Sequence, residues 1–212
     1  MRSIATVTVA PAETSLTTLT RVKSELNLTT VDAARDALLE SKIDEASSDI
    51  EAHLARVLAR ATLSERFWGE PNGGEYLVLA RAPGVSITSV TLDDVLVSAS
   101  EYRLEPETGL LYRLDSSGYP CAWTWCKDVV IVYVAGYLLP AETGRTLPYA
   151  LEAAAVELVS SYWASRGRDP TVRSEDIPGL GAVSYWVGAV GEAGDLPPGV
   201  ESKIAPFRRV LV

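Results

Sequence analysis

The feature that most constrains this fold is a change in the spacing of hydrophobic residues along the chain. Before residue 64 and after residue 137, apolar side chains recur every three or four positions, which predicts amphipathic helices. Between Ser64 and Tyr137 the spacing falls to two, and turn pairs such as Pro83-Gly84 and Ser117-Gly118 interrupt it at short intervals. The chain is therefore predicted to be an α+β protein, a small helical bundle with an inserted antiparallel β meander.

Two helices form the predicted bundle. The longer one covers about residues 32–60, begins at Asp32 as N-cap and carries one apolar stripe. The second covers about residues 147–166 and has the full apolar face of a helix that packs in a core, so we expect it to pack on the first. A shorter helix from Leu19 to about Leu28, capped by Thr18, precedes them.

The segment of period two contains six candidate strands that alternate with turn residues. They are Arg66 to Trp68, Tyr76 to Ala80, Val85 to Leu92, Tyr102 to Leu104, Leu110 to Leu114 and Val129 to Val134. The last of these is the most apolar, which predicts a central position in the sheet.

These patterns predict three regions. Residues 1–63 and 138–166 form a helical core, residues 64–137 a β-rich subdomain, and residues 167–212 a C-terminal arm made of a glycine-rich loop, a short helix and a tail. Residues 167–199 hold seven of the fifteen glycines and four of the twelve prolines, yet carry Tyr185 and Trp186. Connections of this length are usually binding segments or disordered, and the aromatic residues argue against plain disorder. We therefore predict that the loop binds a partner.

Composition excludes several classes of protein. The 212 residues carry 28 acidic and 19 basic side chains, a net charge of −9, which disfavours a protein that binds DNA through bulk charge. The most apolar run, Val129 to Leu139, is too short to span a bilayer, so no membrane association is predicted. Cys121 and Cys126 are too few for a disulfide framework and are interpreted as reduced.

The sequence contains no convincing catalytic constellation. His53 is the only histidine and lies in the long predicted helix, which favours a structural role over a metal or general-base role. Neighbouring carboxylates such as Asp93 and Asp94 lie at a turn and not across a cleft. There is no G-x-S-x-G elbow, no P-loop and no complete dinucleotide fingerprint. We therefore predict no enzyme activity, no catalytic residue, no cofactor and no metal.

Two alternatives remain open at this point. One is an enzyme that uses carboxylates in a cleft, which would require a deep pocket with two or more of them. The other is a small-ligand or carbohydrate-binding α+β module, in which Tyr119, Trp123 and Trp125 line an exposed sheet face.

Six segments, taken in their order, resemble one family over most of the chain. They are Leu16 to Leu26, Leu38 to Ala46, Val132 to Tyr137 leading into Leu147-Pro148, Tyr162-Trp163, Val172 to Trp186, and Phe207-Arg208-Arg209. In this order the segments resemble the head-tail connector, or adaptor (head completion), proteins of long-tailed bacteriophages, prophages and gene transfer agents.

The resemblance implies a structural protein of the virion. Such proteins form a ring of about twelve copies under the portal protein at the capsid vertex, extend the channel through which double-stranded DNA passes without specific binding, and support the next tail-side adaptor, stopper or tail terminator protein. The implied localisation is the head-tail interface of the virion, with the host cytoplasm during assembly. This chain has a longer β insertion and glycine-rich loop than smaller family members, so the resemblance does not assign a role to residues 64–137.

The resemblance also implies the contact residues. In this family the C-terminal helix and tail tend to engage the portal. The candidates for portal contact are Val200, Ile204, Phe207, Arg208, Arg209, Val210 and Leu211. The candidates for contact with a neighbouring subunit or the tail side are Arg168, Arg173, Glu175, Tyr185 and Trp186. Because ordering such arms on binding costs conformational entropy, we expect a largely monomeric free protein that joins the ring on the portal.

Overall fold

The computed structural model describes residues 2–68, 74–123, 128–166, 174–177, 181–184 and 196–208. Helices and antiparallel sheets are both present, which confirms the α+β class. The chain divides into two compact units: residues 1–13 with 57–138 form a sheet unit, and residues 14–56 with 139–212 form a helical unit.

The sheet unit is built on an antiparallel sheet of five strands. In spatial order these are β1 (Arg2–Val9), β2 (Ala61–Trp68), β9 (Asp128–Ala135), β4 (Gly84–Leu92) and β5 (Val95–Leu96). The predicted central position of the most apolar strand is confirmed, since β9 lies between β2 and β4. Its alternate residues, among them Val129, Ile131 and Tyr133, are fully buried.

A second, smaller sheet shares the same core. It contains β3 (Tyr76–Val78), β7 (Leu110–Leu114) and β6 (Tyr102–Glu105), and β8 (Pro120–Cys121) pairs with β7. Leu77 and Leu111 of this sheet belong to one hydrophobic cluster with Phe67, Ile131 and Tyr133 of the first. The observed strand order departs from the simple meander predicted above, because β9 returns to pair between β2 and β4 after β5 to β8 have been completed.

The segment that contains β2 to β9 begins and ends at one stem. Ala59 forms an isolated parallel bridge with Tyr137, the backbone N–H of Arg60 donates to the Tyr137 carbonyl at 2.9 Å, and the Tyr137 N–H donates to the Leu58 carbonyl at 2.8 Å. Gly136 makes this approach possible. Its φ is +103°, and a Cβ there would lie 2.6 Å from the Ala59 carbonyl oxygen, closer than any side chain tolerates.

The N-terminal segment differs from the sequence-based expectation. Residues 2–9 form β1 and pair with β2 in the sheet unit, whereas the sequence analysis assigns them to the helical core. All eight residues of β1 are exposed, so the strand carries no half-buried alternation of the kind that marks a strand in a sequence.

The helical unit contains four α-helices among its described residues: α1 (Leu19–Glu25), α2 (Ala33–Leu54), α3 (Tyr149–Ala164) and α4 (Pro198–Ile204). Both predicted caps are present, because the Thr18 side chain accepts from the Arg21 N–H and Asp32 accepts from the N–H groups of Ala34 and Arg35. Helix α3 packs on α2, as the apolar stripes predict.

Helix α2 ends earlier than predicted. Its last residue is Leu54, not residue 60, and Ala55 follows in the left-handed region at φ 51°. The Ala55 N–H then bonds to the carbonyls of Ala52 and Glu51, a common way to satisfy the last turn of a helix. The helical spacing continues past this point in the sequence, but Leu58 and Ala59 are taken up by the stem of the sheet unit.

The glycine-rich region contains secondary structure that its sequence does not indicate. Strands β10 (Ser174–Ile177) and β11 (Gly181–Ser184) pair as an antiparallel hairpin, with Ser174 opposite Ser184 and Ile177 opposite Gly181. Neither Ser-Glu-Asp-Ile nor Gly-Ala-Val-Ser alternates between apolar and polar residues, so the sequence carries no strand signal at these positions.

Candidate assembly surfaces

The C-terminal helix α4 is part of the core of the helical unit. It packs against α3, and its Val200 and Ile204 are fully buried, as is most of Leu196 just before it. A partner cannot reach Val200 or Ile204 while α4 is docked. In this conformation both residues therefore have a structural role, although the sequence analysis assigns them to portal contact.

Polar contacts hold the end of the described chain in place. Lys203 forms an ion pair with Glu157 of α3, and a guanidinium N–H of Arg56 donates to the Phe207 carbonyl at 3.1 Å. Phe207 itself is half-buried, and Arg208 directly after it is exposed. Among the predicted portal residues that the structure describes, Arg208 is thus the most accessible, followed by Phe207. Arg209, Val210 and Leu211 lie outside the described residues.

Only one predicted contact residue of the glycine-rich region lies within the described chain. Glu175 is part of β10, opposite Val183 of β11. Arg168, Arg173, Tyr185 and Trp186 lie outside the described residues, so their assignment to a neighbouring subunit or the tail side stays a prediction.

The helical unit also carries an open groove of about 660 Å³ between α1 and the start of α3. Arg145 lies along it, stacks on the exposed ring of Tyr149 at 4.1 Å, pairs with Glu152 and donates to the Leu147 carbonyl. Arg21 on the opposite side pairs with Glu25 at 3.3 Å. Because each cation has its own carboxylate, the groove offers an amphipathic contact surface and not a concentrated charge.

Helices α2 and α3 are joined by a partly buried polar contact. The Tyr162 hydroxyl donates to Asp49 at 2.6 Å, and Lys42 lies over the Tyr162 ring at 5.6 Å. Burial raises the pKa of Tyr162, and the hydrogen bond to Asp49 and the negative charges of Asp49 and Glu45 raise it further. The contact therefore holds the tyrosine in its neutral, donating form over the physiological range.

Strand β1 is a long, exposed edge of the sheet unit with several apolar side chains. It lies at one edge of the five-stranded sheet, where Ile4 is 61% and Val9 59% exposed. Ile4 is opposite Arg66 of β2, whose guanidinium pairs with Asp128 at 2.6 Å. A strand in this position presents unpaired backbone N–H and C=O groups along its outer side. No signal in the sequence marks this strand as a free edge.

A second exposed apolar surface lies on the smaller sheet. Tyr76 and Val78 of β3 are about half exposed, and Tyr76 packs on Tyr112 of β7 with ring centroids 5.8 Å apart. The pair gives this sheet a small aromatic face on its solvent side.

Among the described residues of the sheet unit, Glu65 is a fully buried carboxylate. Glu65 of β2 accepts hydrogen bonds from the Tyr133 hydroxyl and from the Ala80 N–H, both at 2.8 Å. Burial raises the pKa of Tyr133, and the charge and hydrogen bond of Glu65 raise it further. Both hydrogen bonds go to one carboxylate oxygen, while the other is buried without a hydrogen-bond partner. The site is closed to solvent and offers no access to a substrate.

The alternative of a ligand-binding module requires Tyr119, Trp123 and Trp125 to line one exposed sheet face. The described residues do not show this arrangement. Trp123 is only 2% exposed and its indole N–H donates to the Leu111 carbonyl at 3.2 Å, whereas Tyr119 is 70% exposed. Trp125 lies outside the described residues. The burial of Trp123 removes one of the three rings from any binding face.

Two other residues considered in the sequence, His53 and Cys121, lie in regular secondary structure. His53 lies in the last turn of α2 and Cys121 is a free, half-buried thiol in β8. Within the described ranges, no three His, Cys, Asp or Glu side chains gather as a metal site would require. In the same part of the chain no helix is long and apolar enough to cross a membrane.

Comparison with known proteins identifies a shared fold. No protein-family model matches the chain, and no curated protein matches it. Three solved structures of gene transfer agent (GTA) particles contain a similar chain: the neck of an empty particle computed with C6 symmetry (23% identical, TM-score 0.61), the virion of a native particle (22%, 0.59) and the neck of a native particle computed with C12 symmetry (21%, 0.57).

In all three cases the likeness covers 99% of this chain and 97% of the other. The likeness is therefore not confined to one of the two units.

Proposed function

We propose that this chain is a structural protein of a virion neck, a head-tail adaptor that forms a ring under the portal. The observation that carries the proposal is the full-length likeness to chains of GTA particle necks, since it matches the longer β insertion and the C-terminal arm as well as the helices. The ring of about twelve copies extends the DNA channel and supports the next tail-side adaptor, stopper or tail terminator protein.

The surfaces described above suit assembly better than catalysis. A cyclic ring needs two different surfaces on each subunit, one that meets the preceding copy and one that meets the next. The chain has several distinct exposed surfaces of the required kind, including the β1 edge and the groove along α1 and α3. The carboxylate Glu65 is fully enclosed and already hydrogen-bonded, which disfavours the alternative of an enzyme with carboxylates in a cleft.

The charge distribution supports a channel that DNA passes without being held. Residues 1–162 carry 22 acidic and 13 basic side chains, which accounts for the whole net charge of −9, whereas residues 163–212 carry six of each. An acidic inner surface would repel the phosphate backbone during passage. A ring structure whose inner surface is dense in Arg and Lys would contradict this part of the proposal.

We propose that the end of the C-terminal arm contacts the portal while helix α4 stays docked in the helical unit. Helix α4 is docked in the core and the Arg56 contact holds Phe207, so the accessible part of the arm begins at Arg208. We therefore assign portal contact to residues 208–212 and a positioning role to Val200 and Ile204.

The test is assembly with the cognate portal, followed by electron microscopy. The full chain should decorate the portal with a ring, and a chain truncated after Phe207 should fold normally but decorate it poorly. A shorter chain that also lacks the buried Val200 and Ile204 would not test tail contact, because the loss of these residues weakens the helical unit itself. The alanine variant of exposed Glu201 is a matched control that should decorate the portal normally.

Two results would contradict the proposal. If the full chain fails to bind the portal, the adaptor role is wrong. If the chain truncated after Phe207 binds as well as the full chain, the assignment of portal contact to the tail is wrong. Size-exclusion chromatography with light scattering tests the expected monomeric free state, and a stable ring without the portal would refute the template dependence.

A further inference from the structure

The two edges of the five-stranded sheet differ in how well they are protected from pairing. On the β4 side, the edge strand β5 has only two residues, and the pairing of β4 with β9 contains two register shifts. Short edge strands and bulges are common devices that prevent a sheet from adding another strand. On the other side β1 is eight residues long, contains no proline or lysine, and has one register shift, near its end at Val7 and Val9.

The length and exposure of β1 make it an acceptor for an extended segment of another chain. All its residues are exposed, and among the described strands it pairs only with β2. Its outer backbone groups are therefore available to a strand that adds to the sheet, a recurring mode of protein recognition.

The hairpin of β10 and β11, in turn, lacks extensive contacts with the other described elements of the chain. It consists of four residue pairs. A two-stranded hairpin alone is marginally stable in water and normally needs a third strand or a packed face.

The charges of the two strands are opposite in sign. Strand β10 carries two consecutive acidic residues, Glu175 and Asp176, whereas the only charged residue of β1 is Arg2.

We propose that the hairpin of one copy adds through β10 to the free edge of β1 in the next copy of this chain. The inference rests on the proposed ring. It deepens the ring proposal by naming the donor and the acceptor of one contact between subunits. Because donor and acceptor are different surfaces of the same chain, the contact is heterologous, and repeating it links every copy to two neighbours, as a closed ring requires.

The contact is tested by crosslinking a chain that carries one cysteine on each side. In a Cys121→Ser, Cys126→Ser background, Thr6→Cys marks β1 and Ser174→Cys marks β10. A short bismaleimide is then added to the free protein at high concentration and, separately, to portal-bound rings. The expected product is a ladder of covalent multimers that continues beyond the dimer.

A matched control moves the first cysteine to the protected edge. Leu96 of β5 is as exposed as the β1 residues, so a Leu96→Cys, Ser174→Cys chain in the same background should give only a small fraction of the ladder. Equal ladders from both chains would overturn the proposal. So would dimers formed by the Thr6→Cys chain without Ser174→Cys, because these would show that β1 pairs with itself.

The remaining outcomes separate this inference from the proposed function. In one outcome the chain decorates the portal with a ring, but the crosslinks form only within single copies of the chain. This result overturns the strand addition and leaves the adaptor role intact. A ladder in free protein that never decorates the portal supports the strand addition and contradicts the adaptor role. The absence of a ladder in both samples overturns the strand addition.

Discussion

The buried pair of Tyr133 and Glu65 should contribute measurably to the stability of the sheet unit. Tyr133→Phe removes one hydroxyl and leaves the packing of the ring unchanged. The Glu65 carboxylate then keeps the Ala80 N–H as a donor but loses the hydroxyl at 2.8 Å.

The expected magnitude follows from the chemistry of this contact. A hydrogen bond to a charged group that cannot be replaced by water contributes about 1.5–3 kcal/mol. Both residues are fully buried, so no solvent compensation is expected. For a chain of 150–250 residues this corresponds to a decrease in Tm of roughly 3–12 °C, at about 2–4 °C per kcal/mol.

The assay is urea unfolding followed by tryptophan fluorescence, with thermal unfolding as a second readout. Tyr119→Phe is the control, because Tyr119 is 70% exposed and its hydroxyl should change the free energy of unfolding by less than about 0.5 kcal/mol. If Tyr133→Phe is no more destabilising than Tyr119→Phe, the buried hydrogen bond does not stabilise the sheet unit.

Three further predictions concern the helical unit and pH. Ile204→Ala should destabilise the chain by about 2–5 kcal/mol in urea unfolding, because it leaves a cavity in the core, and an unchanged midpoint would show that α4 is not docked in solution. Asp32→Ala should cost about 1 kcal/mol through the lost cap of α2, and equal stability of the two proteins would contradict that role. The raised pKa of Tyr133 and Tyr162 makes the folded chain hold these protons more tightly than the unfolded chain does. The contribution of the two tyrosines to the free energy of unfolding should therefore be fully present below about pH 10. At higher pH the free energy of unfolding should fall by up to about 1.4 kcal/mol per pH unit for each tyrosine. Tyr162→Phe should make this fall less steep.

The sequence predicts well those elements whose signals are local. Asp32 and Thr18 are recognisable caps because the capping side chain lies within three residues of its partner. The central strand β9 is recognisable because it is a continuous apolar run, of which alternate residues are fully buried and the others partly buried.

The remaining features depend on tertiary context. The stripe of Val200 and Ile204 is correctly seen as apolar, but an apolar stripe has the same sequence whether its own core or a partner covers it. The β-branched residues of β1 favour a strand, but a sequence does not say on which side of a sheet a strand will be left unpaired. The burial of Glu65 has no local signal either, since its two partners are 15 and 68 residues away.

The stem at Ala59 and Tyr137 has a consequence for how proteins of this shape can diversify. The chain segments at Ala59 and Tyr137 are held side by side by backbone hydrogen bonds, so their separation stays the same when the chain between β2 and β9 changes in length. Lengthening a loop that is already closed costs little extra entropy, about 0.6 kcal/mol for each doubling of its length. Gly136 must stay a glycine in every such variant, because a side chain there would push the backbone at Ala59 away from the backbone at Tyr137.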